Sequence, residues 1–328
     1  MAILWAYRSG LVPKACSLAK RLPRERALMN RVLLPLMTSV LFSGSYIAGK
    51  YTTLDLGPLT TTALRYLVAL LFLSALLVHY KAGALRLRPR DVLPVLLLGL
   101  FGIVGYHYFF FLSLRFTEVA NTAIINATSP VLTSAAAAVL IKERLSPRNY
   151  AGVLTAFVGV LILLSRGEID ALVNLRFNKG DLLMILSVLC WIVYALIIRK
   201  MLDRYSGFTL TFYATASGVL ILLFLAPLEA PLSEIRGISR ASLLSVLYMG
   251  VCGSGLGYLL YNLSIREIGP TRTSSFVYSV IPLIVAALAW QFFRQPITPI
   301  MLASMLVILV GLRMMLAVGR RRPVEEDV

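Results

Sequence analysis

Few side chains in this 328-residue chain could do chemistry away from its ends. His107, in Gly105-Tyr106-His107-Tyr108, sits in the middle of an apolar run. Its imidazole is the side chain whose charge changes nearest neutral pH, so it could carry a proton or act as a hydrogen-bonded packing histidine. Arg65 lies eight residues into another apolar run, and Lys50 closes the run before it. Arg65 could pair with Asp55 or hold a substrate anion, and Lys50 could snorkel to a polar interface. Both are expected near an outer mouth. The amides Asn121, Asn126 and Asn262 could exchange hydrogen bonds with the polar end of a small solute. The rings of Tyr46, Tyr108, Trp191, Tyr194, Tyr258 and Tyr278 could hold its apolar part. Each amide and ring has a competing reading as helix-packing glue or a lipid-facing residue.

What is missing narrows the chemistry. No Asp or Glu lies centrally in an apolar run: Asp91, Glu118, Glu143 and Asp181 all stand at ends. That disfavours an exporter of cations working by proton exchange on a buried acid. Cys16, Cys190 and Cys252 are too few and too scattered for a metal site or a disulfide framework. No Gly-x-x-x-x-Gly-Lys-Ser/Thr phosphate loop is present, so ATP hydrolysis is not expected. Gly253-Ser254-Gly255-Leu256-Gly257 follows no strand and reads as close helix packing. The sequence therefore predicts no enzyme, cofactor or metal, and a small-molecule solute as partner.

The elements that must position these residues are membrane helices. Hydrophobic residues make up 59% of the chain and charged residues 14%, against about 45–50% and 25% in soluble domains. Mean hydropathy is +0.82. Charge-poor windows of the length needed to span a bilayer run over Val32–Gly49, Pro58–Tyr80, Val92–Leu114, Val119–Ile141 and Pro147–Ser165. They continue over Leu182–Ile198, Phe208–Leu228, Ala241–Ile265, Thr273–Phe293 and Pro296–Leu312. Breaks such as Leu56-Gly57-Pro58 and Ile268-Gly269-Pro270 carry turn chemistry. The apolar runs are continuous, not alternating, which selects helices over a barrel. With the N-terminus placed inside, 23 Lys/Arg fall on the inner side and 8 on the outer. That asymmetry predicts both termini in the cytoplasm of a cell (plasma or inner) membrane. It also assigns the net charge of +17 to anchors beside anionic lipid, with no role in nucleic-acid binding. Residues 1–30 read as a disordered basic tail that Met29, as an alternative start, would render dispensable. Residues 319–328 read as a cytoplasmic tail.

The chain is also doubled. Gly99-Leu-Phe-Gly102 through Phe110-Phe-Leu112-Ser113-Leu-Arg115 overlays Gly250-Val-Cys-Gly253 through Tyr261-Asn-Leu263-Ser264-Ile-Arg266 at an offset of about 151 residues. Ser39-Val40-Leu41 with Tyr46 matches Ser187-Val188-Leu189 with Tyr194, and Pro130 and Gly159 match Pro282 and Gly311. Two repeats, 31–166 and 179–318, follow. Five helices each is an odd number, so the second repeat enters from the opposite side and the pair is inverted. The predicted fold is all-α integral membrane, ten transmembrane helices as two inverted five-helix repeats, a monomer or homodimer.

In this frame the residues resemble the EamA-type branch of the drug/metabolite transporter superfamily. Lys142-Glu143-Arg144-Leu145 after the fourth window, Arg65 in the second, Pro130 in the fourth, and Gly180-Asp181 with Trp191 and Tyr194 carry the likeness. The resemblance implies a secondary transporter of a small organic metabolite, such as an exporter of an amino acid or related amphipathic solute. It implies alternating access around a cavity between the repeats. Two other classes compete: an integral-membrane lipid-modifying enzyme, which would need clustered His, Asp or Glu, and a non-transporting membrane scaffold, which would need larger loops.

Overall fold

A computed structural model describes residues 24–79, 87–140, 146–168, 177–202, 204–229, 237–268 and 270–316. Among them the regular elements are helices: α1 (Arg24–Thr52), α2 (Pro58–His79), α3 (Val92–Leu97), α4 (Tyr106–Phe116), α5 (Val119–Asn126), α6 (Ser129–Leu140) and α7 (Pro147–Ser165). They continue with α8 (Lys179–Met201), α9 (Gly207–Glu229), α10 (Arg240–Tyr248), α11 (Tyr258–Ile268), α12 (Pro270–Phe293) and α13 (Pro299–Leu316). Several open on proline (Pro58, Pro147, Pro270, Pro299), where the missing N–H costs nothing and φ is already helical. Eight helical segments among the described residues are long and apolar enough to cross a membrane. One of these is the run Pro89–Phe116, another Arg240–Tyr261.

The polarity is distributed inside out. Val78, Val139, Leu154, Phe224 and Leu228 stand exposed on the periphery. Thr38, Ser39, Ser43, Arg65, His107, Asn126 and Asp181 are buried. A molecule surrounded by water would do the reverse, so its outer solvent is apolar. Buried hydroxyls are satisfied within their own helices: Thr38 donates to the Leu34 carbonyl (2.9 Å), Ser39 to Pro35 (2.8 Å) and Thr62 to Pro58 (2.7 Å).

Two irregularities shape the interior. The Val119–Ile141 window is not one helix. It breaks at Ala127-Thr128, between α5 and α6, because Pro130 offers no N–H to the carbonyl of Asn126 and its ring crowds that turn. The second irregularity occurs twice. Leu98–Gly105, between α3 and α4, and Met249–Gly257, between α10 and α11, are wound as wide π turns. Both are glycine-rich at the point of closest approach to a neighbour. A Cβ on Gly99 would lie 2.6 Å from the Gly218 backbone nitrogen, and one on Gly250 would lie 2.9 Å from the Arg65 carbonyl oxygen.

Helix pairing runs across the two sequence halves. α7 packs along α13, α2 along α9, and α5 against α12. The Leu98–Gly105 segment lies on α8 and α9, while Met249–Gly257 lies on α1 and α2. Gly159 meets Ile308 in the α7–α13 contact, and Gly311, its counterpart in the sequence overlay, meets the backbone of Gly152 and Ala156. The basic segment 1–23, the stretch 142–145, the side chains of His79 and Asn262, and the tail 319–328 lie outside the described residues.

Candidate functional site

A cavity of about 60 Å³, several times the roughly 15 Å³ that one water needs, is lined by residues that directly follow the two π segments (Tyr106, Tyr258) and directly precede the α5–α6 break (Asn126). The first half contributes Phe42, Ser45 and Tyr46 from α1, Arg65 from α2, Tyr106, His107 and Phe110 from α4, and Asn126 from α5. The second half contributes Trp191 from α8, Tyr258 from α11, and Tyr278 and Ile281 from α12. Asn126 and Tyr278 stand at equivalent positions in the sequence overlay, each four residues before a proline, Pro130 or Pro282.

Asn126 closes the wall where its helix ends. Its Nδ2 donates to the Tyr46 hydroxyl (2.6 Å), and its Oδ1 accepts from the Ser129 hydroxyl (2.9 Å). One amide thus ties α1, α5 and α6. His107 lies across the cavity, 2% exposed. Its Nδ1 faces the Ile103 carbonyl at 3.1 Å, and its Nε2 faces the Tyr66 hydroxyl at 3.1 Å. A carbonyl can only accept, so Nδ1 carries the hydrogen and Nε2 accepts from Tyr66. A neutral imidazole satisfies both contacts, and in this arrangement His107 is a hydrogen-bonded part of the wall.

The rings fall into two contacting sets. Tyr46 meets Phe110 edge-on (5.0 Å between centroids), Tyr106 stacks parallel to Phe110 (6.1 Å), and Tyr106 leans on Trp191 (5.2 Å). Phe42 meets Tyr258 edge-on at 5.5 Å. Such a surface suits an apolar or aromatic moiety. Tyr194 is not on the cavity wall. It stands behind Trp191, 5.0 Å away, and fills the space above Gly102. Tyr106 lines the cavity and Tyr108 does not.

Arg65 is the cation of this wall, 5% exposed. Its Nε donates to the Ser254 hydroxyl (2.8 Å), Nη1 points at the Met249 sulfur (3.9 Å), and the guanidinium lies 5.5 Å from the Tyr66 ring centroid. It does not pair with Asp55. That carboxylate accepts from the Ser239 hydroxyl and backbone N–H, ahead of α10. Donation by Ser239, with Ser242 adding to it, holds the Asp55 carboxyl below its ordinary value. Lys50 is also away from the cavity, donating to the Leu114 carbonyl. Asn121 is buried elsewhere: its Nδ2 faces the Thr117 hydroxyl (3.4 Å), which itself donates to Asp181 (2.5 Å).

Links between the halves flank the cavity. At one end Glu229, closing α9, accepts from the backbone N–H groups of Leu59 (3.1 Å) and Thr60 (2.9 Å) at the start of α2. Asp55 binds Ser239 at the same end. Elsewhere, Asp91 before α3 is held by Arg204 (3.2 Å) and by the Tyr205 hydroxyl (2.6 Å) from the α8–α9 connection.

Comparison with known proteins gives these features a context. A model of the EamA-like transporter family matches residues 29–165 and again 178–317. An uncharacterized transporter of Bacillus subtilis (strain 168), YyaM, is 24% identical over 86% of this chain and 92% of its own length. An uncharacterized transporter of Archaeoglobus fulgidus is 29% identical over 80% of this chain and 89% of its own. A probable terminal-alkyne amino-acid exporter of Streptantibioticus cattleyicolor is 25% identical over 63% of this chain and 68% of its own. A solved crystal structure superposes with a TM-score of 0.62 at 20% identity, covering 87% of this chain and 96% of that one, a likeness of fold.

Proposed function

Because the chain belongs to the EamA-like transporter family, a family of multi-pass membrane proteins, we propose that it is a secondary transporter exporting a small organic metabolite. The solute is an amino acid or a related amphipathic molecule, and it is carried by alternating access around the central cavity. The observation that carries this reading is the composition of that wall: both halves contribute to it, and it sets one amide, hydroxyls and one buried cation beside several rings. Alternating access needs a site shared by two bodies that can rock against each other.

The proposed architecture is ten membrane helices in two inverted repeats, with α5–α6 and α13 as spans beside the eight longer ones. Support comes from the pairing. Exchanging each helix for its counterpart about 150 residues away turns the contact of Leu98–Gly105 with α8 into that of Met249–Gly257 with α1. The same exchange turns α9 on Leu98–Gly105 into α2 on Met249–Gly257, and leaves α7 on α13 unchanged. The orientation proposed from the Lys/Arg asymmetry places both termini in the cytoplasm and the Asp55 and Glu229 links on the outer face.

Counterflow in proteoliposomes, with amino acids, amines and nucleosides each loaded and challenged in turn, tests the activity. Saturable exchange of at least one amphipathic class is expected. Absence of exchange across all classes, by protein shown to be folded and inserted, overturns the transporter reading.

A further inference from the structure

We propose that Arg65 anchors a carboxylate of the solute, and that the carboxylate, with or without an amine, is the group this cavity requires. The inference rests on the transporter reading of the same cavity and adds a substrate class to it. Arg65 is nineteen-twentieths buried, yet its partners are a serine hydroxyl, a thioether sulfur and a ring. A guanidinium offers five N–H donors and does not deprotonate in proteins, so it cannot escape its charge as a buried lysine or histidine would. A buried cation calls for an anion. Among the described residues no carboxylate lies within ion-pair distance of Arg65, and the nearest sequence candidate, Asp55, is tied to Ser239.

The cavity beside the guanidinium supplies the place for an external anion. A carboxylate accepts two parallel N–H bonds from an arginine fork, a geometry that a carbonyl or hydroxyl cannot match. Gly253 lets its helix approach the fork closely: a Cβ there would stand 3.3 Å from Nη2, while Arg65 itself lines the cavity. An ammonium group finds no equivalent. The wall holds no Asp or Glu, and the Asn126 amide is already bonded at both ends. A zwitterion therefore gains from its carboxylate and gains little from its amine. The rings of Tyr106, Phe110 and Trp191 receive the apolar remainder.

The test uses the purified full chain and two matched series of ligands: leucine, leucinamide, 3-methylbutylamine and 4-methylpentanoate, and the corresponding four compounds of phenylalanine. Binding is read from quenching of Trp191 fluorescence, with Trp191→Phe identifying its share of the signal. Both carboxylate-bearing compounds of a series should bind at least about tenfold tighter than the amide and the amine, as charged hydrogen bonds of this kind allow. Arg65→Gln should abolish that preference, and Arg65→Lys should retain part of it. Should Arg65→Gln fail to fold, Ser254→Ala serves instead, and is expected to change affinity for the acids more than for the amines. Binding of amides or amines on a par with the acids overturns the proposal, as does no binding of any acid. Carboxylate-dependent binding with no counterflow keeps the Arg65 site and overturns transport. Counterflow of amides and acids at equal rates keeps transport and overturns the site.

Discussion

Asn126 uses both ends of its amide on the protein, one on Tyr46 and one on Ser129. Asn126→Leu leaves two hydroxyls without their partner at about 1–3 kcal/mol for a buried group. The expected outcome is a lowered unfolding temperature of the purified protein and a loss of counterflow greater than the loss of folded protein. Unchanged transport would remove Asn126 from the site. At this scale the sequence was partly legible. Tyr46, His107, Asn126, Trp191, Tyr258 and Tyr278 share one wall, and each was identifiable as a polar or aromatic residue in an apolar run. Asn121 does not join them because five residues turn a helix through about 140°, away from the face of Asn126. Arg65 lines the same wall as Tyr106 and His107. Depth along its own helix carries no information about Gly253 and Ser254, which come close enough to enclose it.

The wide turns at Leu98–Gly105 and Met249–Gly257 explain another gap between sequence and structure. The sequence offered Tyr108 among the rings that could line a pocket, with His107 beside it, whereas Tyr106, His107 and Phe110 line the wall. A π turn holds one residue more than an α turn, so every side chain beyond it is rotated relative to a regular helix. The glycines were visible, but not the extra residue in the winding. Inserting one alanine between Gly105 and Tyr106 adds a residue beyond the wide turn. The α4 residues after it should then turn by about 100°, carrying Tyr106 and Phe110 off the cavity. The expected result is a protein that still inserts, with helical content retained by circular dichroism, but that no longer binds solute. An insertion variant that binds normally would mean that the face α4 presents has no part in the wall.

For the whole molecule, the helical class, the apolar spans and the doubling could be read from the sequence, because window length and the repeat offset are properties of the chain itself. Which helix touches which could not, since the pairings join distant residues, as with Tyr106 and Ser187 (81 apart) or Ser43 and Ile281 (238 apart). The orientation carries its own prediction. In a chain whose native cysteines are replaced, Glu168→Cys should react with an impermeant maleimide added outside intact cells, and Ser146→Cys only after the membrane is opened. A reporter fused after Val328 should be active on the cytoplasmic side. The reverse labelling pattern would invert the topology.

The reciprocal packing of the glycine-rich segments has a consequence for assembly. Leu98–Gly105 finds its main partners, α8 and α9, in the other half, and Met249–Gly257 finds α1 and α2 in the first. Each half thus exposes, when alone, the surface that the other covers, so covalent continuity between them is not what holds them together. Residues 1–168 and 177–328 produced as two separate polypeptides should complement each other, co-purify as a one-to-one pair and recover counterflow. Either one expressed without its mate should be degraded or self-associate. Two fragments that are each stable alone and ignore one another would contradict this.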